Sequence, residues 1–368
     1  MKFTKKERVL NTFNYKPLDR PAIYDKIHSL KFIEYVYGKT ITSKNAEDAV
    51  CTTIAKTCDM TRHVVIPYDL NTYTEKDEDG FVYRIHWNTK EIIERPFKTI
   101  SEARELVKKD IFRIREAIEN KKFCHQAKWH LKLLDEKFEE PEELNAEFKR
   151  IQDKMDGTVM VPEFFDGLGP VTTRYNYDTF IYLYHDYPEL MHELLEAHCD
   201  YQLFRIESFA GPELSPIALM GTAVSGVGGL IFSPSFLYRE FFPFAQKIVD
   251  KLKEKGYKVI FEMEGDVRIV LDDIVKTGTD AYTPVEELSG MSVEWIKEKY
   301  PRLVLAQMID PHLLTYGKKN EVIKKTKDII ELARKRGGIL IGSSGDINEE
   351  VNVENVMAMI NTVKNVKF

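Results

Sequence analysis

From about Thr158 to the C-terminus, short apolar runs alternate with amphipathic segments almost without interruption. The runs are Val159-Met160-Val161, Ile217-Ala218-Leu219-Met220, Val259-Ile260-Phe261, Ala281-Tyr282-Thr283, Val304-Leu305-Ala306-Gln307 and Ile339-Leu340-Ile341. Such an alternation commits a chain to a parallel sheet with right-handed helical crossovers. Ser233-Pro234 opens a helical segment reaching Gly256, with a cap followed by proline at the first helical position. Asn352 onward reads as a last helix. Two further strands precede this region: Ala22-Ile23-Tyr24 after the breaker Asp19-Arg20-Pro21, and Val64-Val65-Ile66 after a helix from Ala46 to Cys58. Eight strands close a (β/α)8 TIM barrel. The expectation is therefore one α/β domain over residues 1–368, interrupted after the second strand by an insertion over 71–154. The insertion begins with a hairpin turning at Asp77-Glu78-Asp79-Gly80, and continues from Ser101 as charged helix forming an exposed cap or partner surface.

With 368 residues, 43% of them hydrophobic, the chain can bury a large core. A net charge of −6 with scattered lysines and arginines leaves no footprint for a phosphate backbone, which argues against nucleic-acid binding. No apolar stretch approaches the roughly 18 residues of a membrane span. No apolar leader follows Met1-Lys2-Phe3, and Cys51, Cys58, Cys124 and Cys199 have no CxxC spacing. These features point to a reduced, cytoplasmic protein.

In a barrel of this kind the chemistry sits at the C-terminal strand ends. The fifth strand ends in Glu262-Met263-Glu264-Gly265-Asp266. Side chains two apart share a face, their Cα atoms roughly 6.5 Å apart. Two carboxylates on one face of a buried strand are costly unless they bind, pair or titrate. The other strand ends carry Asp25, Lys26 and His28; Tyr68 and Asp69; Glu163, Phe164, Phe165 and Asp166; Glu286 and Glu287; Gln307, Asp310 and His312; and Ser343 to Asp346. Asp346 reads equally well as a cap for the last helix. The loop Gly226-Val227-Gly228-Gly229 lacks both nucleotide-binding glycine patterns.

Several segments together resemble the uroporphyrinogen decarboxylase superfamily, which includes corrinoid-dependent methyltransferases. They are Glu7-Arg8-Val9-Leu10 through Lys16-Pro17-Leu18-Asp19-Arg20-Pro21, Phe232-Ser233-Pro234 with Phe241-Phe242-Pro243, Gly278-Thr279-Asp280, Ile309-Asp310 and Glu354-Asn355-Val356. The resemblance implies a TIM barrel with a small organic substrate at its mouth, and sets Asp69 where the family places a pyrrole-binding aspartate. The arginine-rich segment that the decarboxylases carry after the first strand is here Tyr24-Asp25-Lys26-Ile27-His28-Ser29-Leu30, without arginine. The thiol-methylating members hold zinc with a His-x-Cys pair at the fifth strand tip and a distant cysteine. Here Glu262 and Glu264 replace the pair and Ser344-Gly345 stand at the cysteine's place.

The resemblance thus implies a demethylating methyltransferase that takes a methyl group from a small donor, foremost a methoxylated aromatic, and passes it to the cobalt of a corrinoid (cobalamin) on a separate protein. Glu262, Glu264 and Asp69 are the expected catalytic groups. Tyr24, His28, Tyr68, Glu163, Phe164, Phe165, Tyr175, Gln307 and Ser343 are the expected substrate contacts. Glu262, Glu264 and His312 are the set that could hold a divalent metal such as zinc. The alternatives are a decarboxylase of a small substrate, with Asp69 stabilising charge, and a catalytically silent binding barrel.

Overall fold

The computed structural model describes residues 2–62, 64–124, 140–226 and 228–368. Val227 of the glycine-rich loop and residues 125–139 of the expected insertion lie outside the described residues. Eight parallel strands form the centre: β1 (Ala22–Ile23), β2 (Met60–Arg62), β3 (Val159–Val161, then Glu163–Phe165), β4 (Ile217–Thr222), β5 (Lys258–Met263), β6 (Ala281–Thr283), β7 (Val304–Ala306) and β8 (Ile339–Ile341). Each pairs with its neighbour in sequence. β8 returns to β1 with Ala22 opposite Leu340, and a bridge between Tyr24 and Met60 joins β1 to β2. The ring closes, as the alternation of the sequence requires. β3 is split by Pro162, which has no N–H to donate. Its lower half pairs with β2 and its upper half with β4, while the Pro162 carbonyl accepts from the Leu219 N–H at 3.0 Å.

One strand sits elsewhere than expected. Val64, Val65 and Ile66 lie past β2, which is formed by Met60–Arg62 instead. Their apolar character reflects burial of Val64 and Val65 in the loop, not pairing in the sheet. The four-residue shift makes Arg62 the strand-tip residue.

Inward-facing residues fill the barrel in apolar layers that include Met60, Val159, Val161, Leu219, Ile260, Ala306 and Leu340. The floor is the first helix, Lys5–Phe13, whose Val9 and Phe13 join that inner cluster. Thr4 starts this helix with a reciprocal capping box to Glu7. Underneath, Arg8 and Arg20 converge on the buried carboxylate of Asp59, at 2.6 and 2.7 Å, next to the start of β2.

Between β2 and β3 the chain forms a three-stranded antiparallel sheet, Tyr73–Lys76, Val82–Ile85 and Lys90–Glu94, and then the helices Ile100–Glu119 and Pro141–Asp153. These helices are not an exposed cap. Ala103, Val107, Ile111 and Ile114 of the first, and Leu144, Phe148 and Ile151 of the second, are buried in the main core. Their surface charges conceal an apolar stripe at helical spacing. The Ser233-to-Gly256 segment is two helices, Pro234–Glu240 and Phe242–Glu254, because Pro243 cannot continue the hydrogen bonding of the first. No helix among the described residues is long and apolar enough to cross a membrane.

Removal of the ring that seals the floor should open a cavity. Phe13→Ala is expected to lower stability by about 3–5 kcal/mol, read as a reduced urea midpoint at unchanged slope.

Candidate active site

Along β2, β3 and β5 the inward layers switch from apolar to charged at the C-terminal end. Met60 is followed by Arg62, Val161 by Glu163 and Ile260 by Glu262, each two residues further on the same face. The Arg62 guanidinium donates from Nη1 to Glu262 and from Nη2 to Glu163, bridging three strands across the barrel mouth. All three side chains are buried. Gly221 on β4 pairs with Glu262 and makes room for it. A Cβ there would lie 2.7 Å from the Phe165 ring and 2.8 Å from Glu262 Oε2.

A second tier lies above. Lys26 approaches Asp346 at 3.5 Å, and His28 Nδ1 lies 3.9 Å from the same carboxylate. The Trp87 indole, from the turn after the second strand of the antiparallel sheet, meets the His28 ring edge-on at 6.2 Å. Asp346 has a left-handed backbone (φ 58°), and the cap of the last helix is Asn352 instead. Glu264 is open to solvent at the mouth, and its carboxylate has no hydrogen-bond or ion-pair partner among the described residues. Ser225 Oγ donates to the Glu264 carbonyl, and the Gly265 N–H donates to Glu286, so the backbone of this tip is anchored.

The electrostatics follow from this crowding. Burial is the largest influence on Glu262; Arg62 opposes it, the carboxylates of Glu163 and Glu264 reinforce it, and the group is pushed up to about 7. Glu264 reaches solvent at its outer edge, but the protein atoms crowded around it desolvate it in part; that, followed by Asp346, raises it as well. Burial acts in the same direction on Asp346, but Lys26, His28 and Arg62 outweigh it and hold this carboxyl below its ordinary value. Asp25 is raised well above the carboxylate range by burial, against the hydrogen bond from the Ser343 N–H at 3.0 Å. The Tyr24 hydroxyl is fully buried and has no hydrogen-bond partner among the described residues.

Residues 171–366, more than half of the chain, match the uroporphyrinogen decarboxylase (URO-D) family. The chain belongs to that family. No curated protein sequence matches it. Among solved structures, a methyltransferase from Methanosarcina mazei shares the fold, with 14% identity, a TM-score of 0.67 and 99% of each chain covered. A pneumococcal virulence factor studied for N-glycan recognition and hydrolysis aligns at 10% identity over 94% of this chain and 82% of its own, with a TM-score of 0.42. That similarity is too weak to bear on fold or function.

Of the URO-D-type site residues expected from sequence, the barrel gathers Glu262, Glu264, Glu163 and His28 at the mouth, with Tyr24 directly beneath. Phe165 shares their face, as its position against Gly221 requires. Gln307 is buried at the end of β7, accepting from Thr283 Oγ1 at 3.0 Å, and Ser343 donates its hydroxyl to the Asp346 carbonyl at 3.0 Å.

Five of the expected residues stand apart from this cluster. Asp69 is exposed and accepts from the backbone and side-chain nitrogens of Asn71, a local turn outside the charged cluster. Tyr68 is exposed and donates to Glu47 on the barrel exterior. Phe164 alternates to the outer face, where it packs on Phe209. Tyr175 lies beneath the Ile100–Glu119 helix, donating to Asp110 at 2.5 Å and stacking on Phe97. His312 is exposed on the short helix Pro311–Tyr316 against Tyr316, and does not join Glu262 and Glu264 as a metal ligand.

No group of three or more His, Cys, Asp or Glu among the described residues is arranged to hold a metal. The guanidinium already occupying Glu262 and Glu163 is a poor neighbour for a second cation. The donor set therefore does not fit zinc. Arg62 is the residue that sequence reading missed. Its signal was available, since two inward glutamates demand a counter-cation and Met60-Thr61-Arg62 alternates correctly for a strand.

The sign of the pH effect follows from Glu262. Between its ordinary 4.5 and about 7 the folded protein binds more protons at this group than the unfolded chain. Its contribution to stability is therefore present at the acidic end and is lost as pH rises through that window, by about 3 kcal/mol in total. Glu262→Gln should match the wild type near pH 4 and exceed it at pH 8, measured by denaturant titration at each pH. A constant difference across pH would overturn the assignment.

Proposed function

We propose that the chain is a methyltransferase that removes the methyl group from a small methoxylated aromatic and passes it to a corrinoid carried by a separate protein. The observation that carries this reading is Glu262: a buried carboxyl at the barrel mouth, aimed by Arg62 and poised to exchange a proton near neutrality. The fold it shares with a methanogen methyltransferase supports the same class of chemistry.

An ether oxygen leaves poorly unless it is protonated as its bond to carbon breaks. Protonated Glu262 gives its proton to that oxygen while the bonding electron pair moves onto it, releasing a neutral phenol. Arg62 holds Glu262 in one orientation, so the proton is presented without a rotamer search. Phe165 and Trp87 give an aromatic ring apolar surface on two sides of the charged cluster. When bound, the corrinoid cobalt supplies the nucleophile for the methyl carbon. The approach for its carrier is a rim of exposed apolar side chains on the segments after β2, β4, β5, β6 and β7: Leu70, Ile231, Ile269, Leu288 and Tyr316. Apolar groups spaced around a mouth suit a partner surface. The decarboxylase alternative relied on Asp69, which stands in a local turn outside the charged cluster.

The test is turnover of a methoxylated phenol with a reduced corrinoid protein as acceptor. Glu262→Gln is expected to lose about 10²–10⁴-fold in rate, the usual contribution of a general acid, with its circular dichroism unchanged. Wild-type turnover should fall as pH rises past about 7, where the proton-donating form is depleted. A rate within a few-fold of wild type in Glu262→Gln would reject the reading.

A further inference from the structure

Each demethylation of the kind just described consumes one proton from Glu262, and Glu262 is poorly placed to recover it. Its side chain is only 10% exposed. One oxygen is taken by Arg62, while Oε2 lies against the Gly221–Phe165 contact on β4. Its exchange with water is confined to that second oxygen.

Glu264 differs on every one of these counts. It follows two residues later, just past the last residue of β5 and nearer the mouth. It is open to solvent, whereas Glu163 and Glu262 are buried. Its carboxylate is unpartnered among the described residues, whereas Glu163 and Glu262 are held by Arg62, Asp346 by Lys26, and Glu286 by the Gly265 N–H. The titratable and charged groups around it are Glu262 at the end of β5, Asp346 after β8, Tyr282 on β6, Glu286 after β6, Lys26 after β1 and Arg62 on β2. An unrestrained carboxylate can rotate between solvent and its neighbour, while its anchored backbone keeps it in place.

We propose that Glu264 carries protons between solvent and Glu262, resetting Glu262 after each methyl transfer. This rests on the reading of Glu262 as the proton donor. After transfer, Glu262 is a carboxylate, and its restored negative charge raises the proton affinity of Glu264. Glu264 takes a proton from water and passes it to Glu262, directly or through one water, returning to the carboxylate itself. No oxidant or further reactant is needed, and the net exchange is one solvent proton per phenol released. Glu264 stands near enough to Glu262 to be among the groups that raise it.

The experiment compares wild type, Glu264→Gln and Glu264→Asp as full-length chains with the corrinoid partner. Glu264→Gln should turn over about ten- to a hundredfold more slowly, and added imidazolium buffer should restore the rate in a concentration-dependent way. Glu264→Asp should be intermediate, and Glu262→Gln should show no rescue. Steady-state rates of Glu264→Gln within twofold of wild type, or a loss that buffer acid does not relieve, overturn the proposal. A readout without substrate separates this from the function itself. After a pH jump, the infrared band of the protonated Glu262 carboxyl, identified by its loss in Glu262→Gln, should decay more slowly in Glu264→Gln. Equal decay rates reject the relay even if demethylation is found, and slower decay upholds it even if the methyl donor is of another kind.

Discussion

The arrangement of the mouth depends on one buried guanidinium. Arg62 reaches from β2 to carboxylates on β3 and β5, so three of the eight strands are tied by a single side chain at the level where the apolar packing ends. Burying such a triad is expensive, and hydrophobic residues of similar volume often serve stability as well or better. What the triad supplies is geometry and charge. It fixes two carboxylates at the top of an otherwise oily barrel, and it only partly offsets the desolvation of Glu262. That incomplete compensation leaves Glu262 titrating near neutrality rather than fully ionised.

Much of the scaffold could be read from residue order. The six strands from Val159 onward stand where the apolar runs place them, since fully buried parallel strands are continuous apolar segments. The same rule misplaced β2, because Val64 and Val65 are buried by loop packing while Met60-Thr61-Arg62 contains only one apolar residue. Period-two alternation separates the glutamates and Phe165 from Phe164, so the outward face of Phe164 was there to be read. Tyr68, Asp69, Tyr175 and His312 are another matter. Their positions depend on how irregular segments and added helices settle on the barrel, and local spacing carries no information about that.

The site is assembled from two parts of the chain with different histories of recognisability. The match to the URO-D family starts at residue 171, so it includes Glu262, Glu264 and Asp346 but not Lys26, Arg62 or Glu163. The cations that balance the carboxylates all come from the unmatched side. Trp87, on the sheet between β2 and β3, comes from there too and reaches His28. The cations and the aromatic cover of the mouth therefore come from segments outside the family match, together with Glu163, whereas Glu262, Glu264 and Asp346 come from within it.

The missing side chain at Gly221 has its own consequence. On the β4 side, the space a methyl at 221 would occupy is already bordered by two groups, the Phe165 ring and the Glu262 carboxyl. Any side chain there would push on both at once, so the position of the ring and the aim of the carboxyl are coupled at one residue. The wall cannot be adjusted by residue size at 221 alone. Compensating changes would have to appear at Phe165, which makes the pair a natural place to look for co-variation and to begin reshaping specificity.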